Sequence, residues 1–145
     1  MKNSILLTAS LLAFLFSSAQ KEAVEKVWYN AEKTSKIQIF KAVDGYFYGK
    51  IIWIKVPVDK NGKPKLDLQN KDEHLRTQPL IGLLIIKKFK KGSSANEFED
   101  GTVYDPNSGK TYCGTLSVNG KELKLRGFIC GFSFLGRSSV WTEAE

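Results

Sequence analysis

The sequence has few of the side chains from which metal sites and nucleophilic active sites are built. Its 145 residues include one histidine, His74, and two cysteines, Cys113 and Cys130. The cysteines are too far apart for a zinc motif, and neither lies near the histidine in sequence. No glycine-rich phosphate-binding loop occurs. These absences predict a protein without metal or cofactor, and they favour a non-enzymatic protein over a hydrolase.

Arginine is scarce although the chain is basic. Lysine and arginine together number 22 against 15 aspartate and glutamate residues, a formal net charge of +7, but the arginines are limited to Arg76, Arg126 and Arg137. Nucleic-acid-binding proteins depend on arginine for paired contacts with bases and phosphates, so the sequence predicts no nucleic-acid partner. The densest basic stretch, residues 87–91, is typical of a solvated strand end, and its charge would also attract anionic lipid head groups.

The apolar run at residues 5–16 is too short for a membrane-spanning helix, which needs about 20 apolar residues. Lys2 precedes the run and Ser17-Ser18-Ala19 follows it, which is the order of a cleaved signal peptide. We therefore expect cleavage between Ala19 and Gln20 and a single domain at residues 20–145. The product is expected in the periplasm or outside the cell, with no transmembrane segment.

The remainder of the chain predicts β-strands and almost no helix. Apart from a short helix expected at residues 21–26, stretches rich in β-branched and aromatic residues recur between turn signals. The predicted strands are residues 36–43, 45–56, 80–89, 97–104, 110–118, 121–134 and 138–142. Their close spacing and tight turns indicate antiparallel neighbours in a barrel or a sandwich.

The Asn119-Gly120 pair predicts a two-residue hairpin turn. That turn would pair Val118 with Lys121 and place Cys130 opposite a position four residues from Cys113. At the usual strand rise this separation is about 13 Å. A disulfide needs Cα atoms within about 7 Å, so the register predicts unbridged thiols. The oxidising compartment favours a bridge instead, and the sequence leaves the two alternatives open.

Two predicted strands are apolar on both faces, at residues 51–54 and 80–86. Such strands need cover on both sides. The polar connection at residues 57–79, or the N-terminal helix, would supply that cover by folding over the sheet. Otherwise the outward apolar stripe is a surface for self-association or for a partner in the cell envelope.

Ordered motifs between Trp28 and Trp141 resemble one bacterial family. They are Gly49-Lys50-Ile51-Ile52-Trp53, Asp59 with Asn61-Gly62-Lys63-Pro64, Leu75-Arg76, Pro79-Leu80-Ile81-Gly82, Gly101-Thr102-Val103-Tyr104-Asp105-Pro106, Gly109-Lys110-Thr111-Tyr112, Arg126-Gly127-Phe128 and Gly136-Arg137. Together they are similar to the domain of unknown function 2147 family of small exported proteins, whose known folds look like lipocalin-type barrels. The resemblance implies the barrel and the export, and it implies no catalytic residue. Lipocalin-type chains usually carry glycine two residues before the opening tryptophan, where this sequence has Lys26.

The combined expectation is an all-β protein, an antiparallel lipocalin-like (calycin-type) β-barrel of about eight strands with a short N-terminal helix. Trp28 and Arg137 are expected to stack as a structural plug at one end. A barrel of this size can hold one ligand among inward-facing side chains. The residues predicted to contact the ligand are Tyr46, Tyr48, Trp53, Lys110, Tyr112, Arg126 and Phe128.

The sequence therefore favours a non-enzymatic binder of a small, partly apolar or amphipathic ligand. The alternative is a protein-interaction or lipid-surface-binding module of the envelope that uses the exposed apolar stripe and the lysines of residues 87–91. The two hypotheses differ in whether the barrel interior holds space for a ligand.

Overall fold

The computed structural model describes residues 20–145, which form a closed barrel of antiparallel strands. Each strand pairs with the next along the chain, and the last pairs with the first. The strands are β1 (Val27–Tyr29), β2 (Ser35–Lys41), β3 (Phe47–Ile54), β4 (Leu84–Lys91), β5 (Glu97–Asp105), β6 (Lys110–Asn119), β7 (Glu122–Ile129) and β8 (Phe132–Glu143). The predicted eight-stranded antiparallel barrel is confirmed, whereas the signal peptide predicted at residues 1–19 lies outside the described residues.

Alternate side chains of each strand point into the barrel, and those that point inward are mostly apolar. Ile37 and Ile39 on β2 are buried on one face, and Leu116 and Val118 on β6 face them from across the interior cluster. The largest fully buried side chains in the described part of the chain are Trp28, Phe47, Phe89 and Phe98. Full burial of such a side chain contributes roughly 1.5–3 kcal/mol to stability, so this core holds the barrel together.

Inward-facing glycines make room for one of these rings. A Cβ atom on Gly101 would overlap the ring of Phe89, and a Cβ atom on Gly114 would lie 3.2 Å from the Cζ atom of the same ring. The absence of a side chain on β5 and β6 therefore lets the Phe89 ring from β4 lie flat against the barrel wall.

Residues 20–26 seal one end of the barrel, which we call the closed end. The indole Nε1 of Trp28 donates a hydrogen bond to the Val24 carbonyl at 3.0 Å, and the backbone N–H of Ile39 donates to the Lys26 carbonyl at 2.9 Å. An ion pair of 2.7 Å joins Glu22 to Lys91 at the end of β4. The β2–β3, β4–β5 and β6–β7 turns lie at this end.

The short helix predicted at residues 21–26 is not confirmed, because this segment forms a turn at Ala23 and Val24. A segment of this length is too short to be a stable helix by itself, and its backbone groups instead bond to the barrel. Within residues 20–145 no helix is long and apolar enough to cross a membrane.

The connections β1–β2, β3–β4, β5–β6 and β7–β8 lie at the opposite end, which we call the open end. The β3–β4 connection is long and contains one 3₁₀ turn, Glu73–Leu75. It leaves Ile52 and Trp53 on β3 partly exposed, at 37% and 38%. The cover expected for the apolar strand faces is therefore incomplete. Ile81, predicted to lie in a strand, belongs to the connection, because β4 begins at Leu84.

A buried carboxylate fastens this connection to the barrel. Asp67 has no exposed surface, and its two carboxylate oxygens accept hydrogen bonds from the Tyr104 hydroxyl at 2.6 Å and from the Asn70 amide at 2.7 Å. Burial, together with the hydrogen bond to Asp67, raises the pKa of Tyr104 to about 12. On the β5–β6 turn, a Cβ atom at Gly109 would overlap the Gln69 carbonyl oxygen. Only glycine permits this close approach.

The register of the β6–β7 hairpin differs by two residues from the predicted register. Asn119 pairs with Glu122 and Val118 with Leu123, so that Gly120 and Lys121 are the two turn residues. Gly120 has φ of +59°, whereas Asn119 remains in the strand. Positive φ at the first central position is the pattern of a type II′ turn, which uses the glycine differently from the predicted type I′ turn.

The register shift also overturns the prediction of unbridged thiols. Cys113 lies opposite Phe128, so Cys130 comes two residues past the partner of Cys113 rather than four. An irregularity between Phe128 and Ile129 then draws the two cysteines together, with Cα atoms 5.0 Å apart. The cysteines form a disulfide that ties the tip of the β7–β8 hairpin to β6.

Candidate functional site

A cavity of about 670 Å³ lies at the open end, between β6, β7 and β8. Tyr112 lines it from β6, Gly127 and Ile129 from β7, and residues 134–137 from β8. Gly127 continues the inward face marked by the buried Leu125, so the cavity continues the barrel interior. A volume of this order is that of a site for a small organic molecule.

The cavity exists because Gly127 leaves its place on the inner wall empty. A Cβ atom at Gly127 would meet only the Tyr112 Cβ atom, at 3.7 Å. The strand β8 widens the same region, since Phe128 pairs with Gly136 while the next residue, Ile129, pairs with Phe132. Residues 133–135 therefore bulge out of the ladder, and Phe134 and Leu135 line the cavity.

The rim of the cavity is apolar and exposed. Ile129, Phe132, Phe134 and Leu135 each expose half or more of their surface, and Phe134 exposes 76%. The rings of Phe132 and Phe134 meet edge to face with centroids 6.1 Å apart. Exposed apolar side chains gathered in one place are typical of a surface that binds an apolar molecule. We call these four residues the apolar rim.

Covalent and polar contacts hold the hairpin that carries the rim. The disulfide from Cys113 to Cys130 fixes its tip, and the guanidinium Nη2 of Arg126 donates a hydrogen bond to the Ser133 carbonyl at 2.5 Å. The Arg126 guanidinium also lies 5.5 Å from the centroid of the Phe128 ring. The bulged strand is therefore anchored on both sides of the rim.

Arg137 is the charged residue of the cavity wall. No carboxylate lines the cavity, and Arg137 forms no ion pair within residues 20–145. Arginine remains protonated in proteins. The cavity therefore combines apolar walls with one permanent positive charge and, on Tyr112, one phenol group.

Of the residues predicted to contact a ligand, only Tyr112 lines this cavity, and Arg137, predicted as a plug, lines it as well.

Trp28 pairs with Glu143 at the closed end, six residues along β8 from Arg137. At the usual strand rise this places the two about 20 Å apart. The predicted Trp28–Arg137 plug is therefore wrong, because the long strand β8 carries them to opposite ends. The cation beside the Trp28 indole is the Lys26 ammonium, 5.8 Å from the ring centroid.

The prediction that Tyr46 and Tyr48 face inward is wrong. Phe47 occupies the inward position between them, and Tyr46 precedes β3 and is exposed. The Tyr48 hydroxyl donates a hydrogen bond to the Asp44 carboxylate at 2.6 Å outside the barrel. That hydrogen bond lowers the pKa of Asp44 and raises the pKa of Tyr48. The pair stabilises the β2–β3 turn and lies away from the cavity.

The remaining predicted residues lie outside the cavity. Trp53 packs edge to face on Tyr29, with ring centroids 6.1 Å apart, and the Lys36 ammonium lies between 4.9 and 5.6 Å from the centroids of the two rings. Lys110 is exposed at the start of β6. Arg126 and Phe128 flank Gly127 along β7, and since alternate residues face opposite sides, they lie on the outer face.

Sequence reasoning missed most of the cavity wall, which comes from Gly127 and Ile129 on β7 and from the segment Phe134-Leu135-Gly136 on β8. The second group was the easier to find. The available signal was an apolar run between two glycines next to Cys130, at the end of a strand. The bulge that aims this run at the cavity depends on its pairing with β7 and has no signature in the segment itself.

The residues described hold no cluster of three side chains suited to a metal ion. The segment after Asp59 that resembles the start of a calcium loop is a turn, in which the Asp59 carboxylate accepts hydrogen bonds from the backbone N–H groups of Asn61 and Lys63 at 2.7 and 3.0 Å. Asp59 thus satisfies backbone donors, as aspartate commonly does in turns.

Comparison with known proteins agrees with the barrel and its sequence motifs. Residues 27–143 match the model of a family described as uncharacterised protein conserved in bacteria, DUF2147. The chain belongs to the DUF2147 family. No curated protein matches it.

A solved structure is similar to the DUF2147 barrel described here. It is protein HP1028 from the human pathogen Helicobacter pylori, which is described as belonging to the lipocalin family. The two chains superpose with a TM-score of 0.71 at 20% sequence identity, over 86% of this chain and 85% of the other. At this identity the similarity shows a shared lipocalin-like fold.

Proposed function

We propose that the protein is an exported, non-enzymatic binder of one small, partly apolar molecule in the open-end cavity. The lipocalin-like barrel supports this function, since such barrels are wide enough for a single ligand. The observation that carries the proposal is the cavity of about 670 Å³ with its apolar rim. Apolar side chains fill the rest of the barrel, so the space for a ligand lies at the open end.

The disulfide supports the export. Cys113 and Cys130 are bridged, and such bridges persist in oxidising compartments such as the periplasm. We infer that residues 1–19 are removed as a signal peptide. The mass of the protein recovered from the periplasm tests this inference, and a full-length cytoplasmic product would contradict it.

The binding test uses N-phenyl-1-naphthylamine, an uncharged apolar dye whose fluorescence rises in apolar surroundings. Gly127→Leu places a side chain in the cavity, where the nearest atom to the new Cβ is 3.7 Å away. We expect its affinity for the dye to fall about tenfold or more. Thr115→Leu is the matched control, because Thr115 is exposed on the outer face of β6 and its change should leave dye binding unaltered.

Phe134→Ser provides a second variant that does not depend on filling the barrel. Its side chain is mostly exposed, so the fold should tolerate the change, while one apolar wall of the cavity is lost. If both Gly127→Leu and Phe134→Ser bind the dye as the native protein does, the cavity is not the binding site and the proposal is wrong.

Binding to a lipid surface is the second candidate, favoured by the exposed rings of Phe132 and Phe134. The lysines of residues 87–91 give it less support, since they extend toward the closed end and two of them are paired. Lys90 is 2.6 Å from Asp100 and Lys91 is 2.7 Å from Glu22. The apolar rim and this lysine cluster thus belong to different ends of the barrel.

A further inference from the structure

The two arginines nearest the cavity are used differently. Arg126 lies behind the cavity wall, where its guanidinium donates to the Ser133 carbonyl and packs over Phe128. Arg137 faces the cavity from β8 and is exposed there, without an ion pair among residues 20–145. Arg126 thus supports the hairpin, whereas the fork of donors on Arg137 is available to a ligand.

The other residues of the cavity wall surround the positive charge of Arg137 with apolar side chains and one phenol. Ile129, Phe134 and Leu135 offer apolar surface near the mouth of the cavity. Gly127 has no side chain that would block the cavity. Tyr112 adds a phenol that can donate a hydrogen bond. A guanidinium without a neighbouring carboxylate repels cations and favours carboxylate, sulfate or phosphate groups, which it binds through paired hydrogen bonds.

We propose that the ligand is an amphipathic anion, with its charged group on Arg137 and its apolar part against Ile129, Phe134 and Leu135. This inference rests on the proposed function of the cavity and specifies the class of ligand. A single-chain carboxylate, sulfate or phosphate ester has this chemistry. A neutral molecule of the same shape would form no charge-assisted hydrogen bond with the guanidinium.

The test compares two dyes that share one skeleton. N-phenyl-1-naphthylamine is uncharged, and 1-anilinonaphthalene-8-sulfonate carries a sulfonate on the same ring system. We expect the native protein to bind the sulfonate about tenfold more tightly, because a hydrogen bond to a charged group is stronger than one between neutral groups. Dodecanoate should likewise displace the neutral dye more effectively than dodecanol does.

The variant Arg137→Gln removes the charge while keeping a polar side chain. We expect it to lose the preference for the sulfonate, so that the two dyes bind with similar affinities. Arg137→Lys should retain part of the preference, since lysine keeps the charge without the paired geometry. Lys124→Gln is the control for net charge, because Lys124 is exposed on the outer face of β7, and it should change neither affinity.

The outcomes separate this inference from the proposed function. If the neutral dye binds, and Gly127→Leu abolishes its binding, but the sulfonate has no Arg137-dependent advantage, then the cavity is a binding site and the anion inference is wrong. If neither dye depends on Gly127, both proposals fail. Sedimentation with phosphatidylglycerol vesicles, lost in Arg137→Gln, would support the anionic group and assign it to a bilayer lipid rather than to a free amphiphile.

Discussion

The closed and open ends of the barrel are built from the same strands, but side chains fill the closed end and leave a cavity at the open end. At the closed end the N-terminal segment folds over Trp28, which is fully buried, and the indole N–H has a backbone partner. At the open end the bulged start of β8 leaves apolar side chains exposed around a cavity. One end therefore supplies stability, while the other retains space.

Inward-facing glycines show the same contrast at the scale of single residues. Gly101 and Gly114 are glycines because the Phe89 ring occupies the space where their side chains would be. Gly127 has no such neighbour, and the nearest atom to its missing Cβ belongs to Tyr112. A glycine on a barrel wall thus either permits close packing of a neighbouring side chain or leaves a cavity. Which of the two occurs depends on the residues around it.

The largest effect should come from truncating the tryptophan at the closed end. Trp28→Ala removes a fully buried indole and its hydrogen bond to the Val24 carbonyl, which keeps the Lys26 backbone N–H as a donor at 2.8 Å. We expect a loss of about 3–5 kcal/mol in the free energy of unfolding, measured with urea. Trp53→Ala is the matched control, since Trp53 is 38% exposed, and it should cost roughly 1 kcal/mol or less. Equal losses would mean that the closed end is not the more stable end.

Removing the disulfide should weaken the open end selectively. The double change of Cys113 and Cys130 to serine releases the hairpin tip from β6. A bridge closing a loop of this length contributes about 3 kcal/mol in the chain-entropy model. We expect amide hydrogen exchange to accelerate most at Ile129 and residues 132–135, while the amides of Leu116 and Val118 change least.

A uniform acceleration across the barrel would contradict this interpretation, because it would show that the bridge stabilises the whole fold. The reduced native protein is the chemical control for the serine variant. It should show the same local increase in exchange around the apolar rim.

The sequence was sufficient to predict the barrel and most of its strands, but not all of their bounds. The strand predicted at residues 121–134 is broken by the turn between β7 and β8, and β1 (Val27–Tyr29) is absent from the predicted set.

The sequence also did not show which faces turn inward. Tyr46, Phe47 and Tyr48 are consecutive aromatic residues, so alternation alone does not reveal that Phe47 is the inward one. Pairing with β2 and β4 decides it. The Tyr48 hydroxyl therefore points outward and donates a hydrogen bond to Asp44, a contact that the periodicity of the sequence does not predict.

Small errors in turn geometry had large consequences for the predicted site. Placing Gly120 first rather than second in its turn moves every partner on β7 by two residues. Together with the irregularity between Phe128 and Ile129, that shift reverses the conclusion about Cys113 and Cys130. The site depends further on the bulge at residues 133–135, which arises only when β7 and β8 pair. Arg137 was assigned to the wrong end for another reason, since the length of β8 separates it from Trp28.

The smallest expected effect concerns the β3–β4 connection, which is joined to the open end through Asp67 and Tyr104. Burial and the hydrogen bond raise the pKa of Tyr104 to about 12, from an ordinary value of 10.0. The native state therefore holds this proton more tightly than the unfolded state does. The resulting stability is fully present below pH 10 and is lost as the pH rises through about 12.

Tyr104→Phe tests this contribution, because phenylalanine keeps the ring and removes the titrating hydroxyl. Between pH 10 and 12 we expect the unfolding free energy of the variant to decline less steeply than that of the native protein. Tyrosinate absorbance should show that the phenol with a pKa of about 12 in the native protein is missing from the variant. If the two proteins lose stability in parallel over this range, the Asp67–Tyr104 contact does not hold the connection to the barrel.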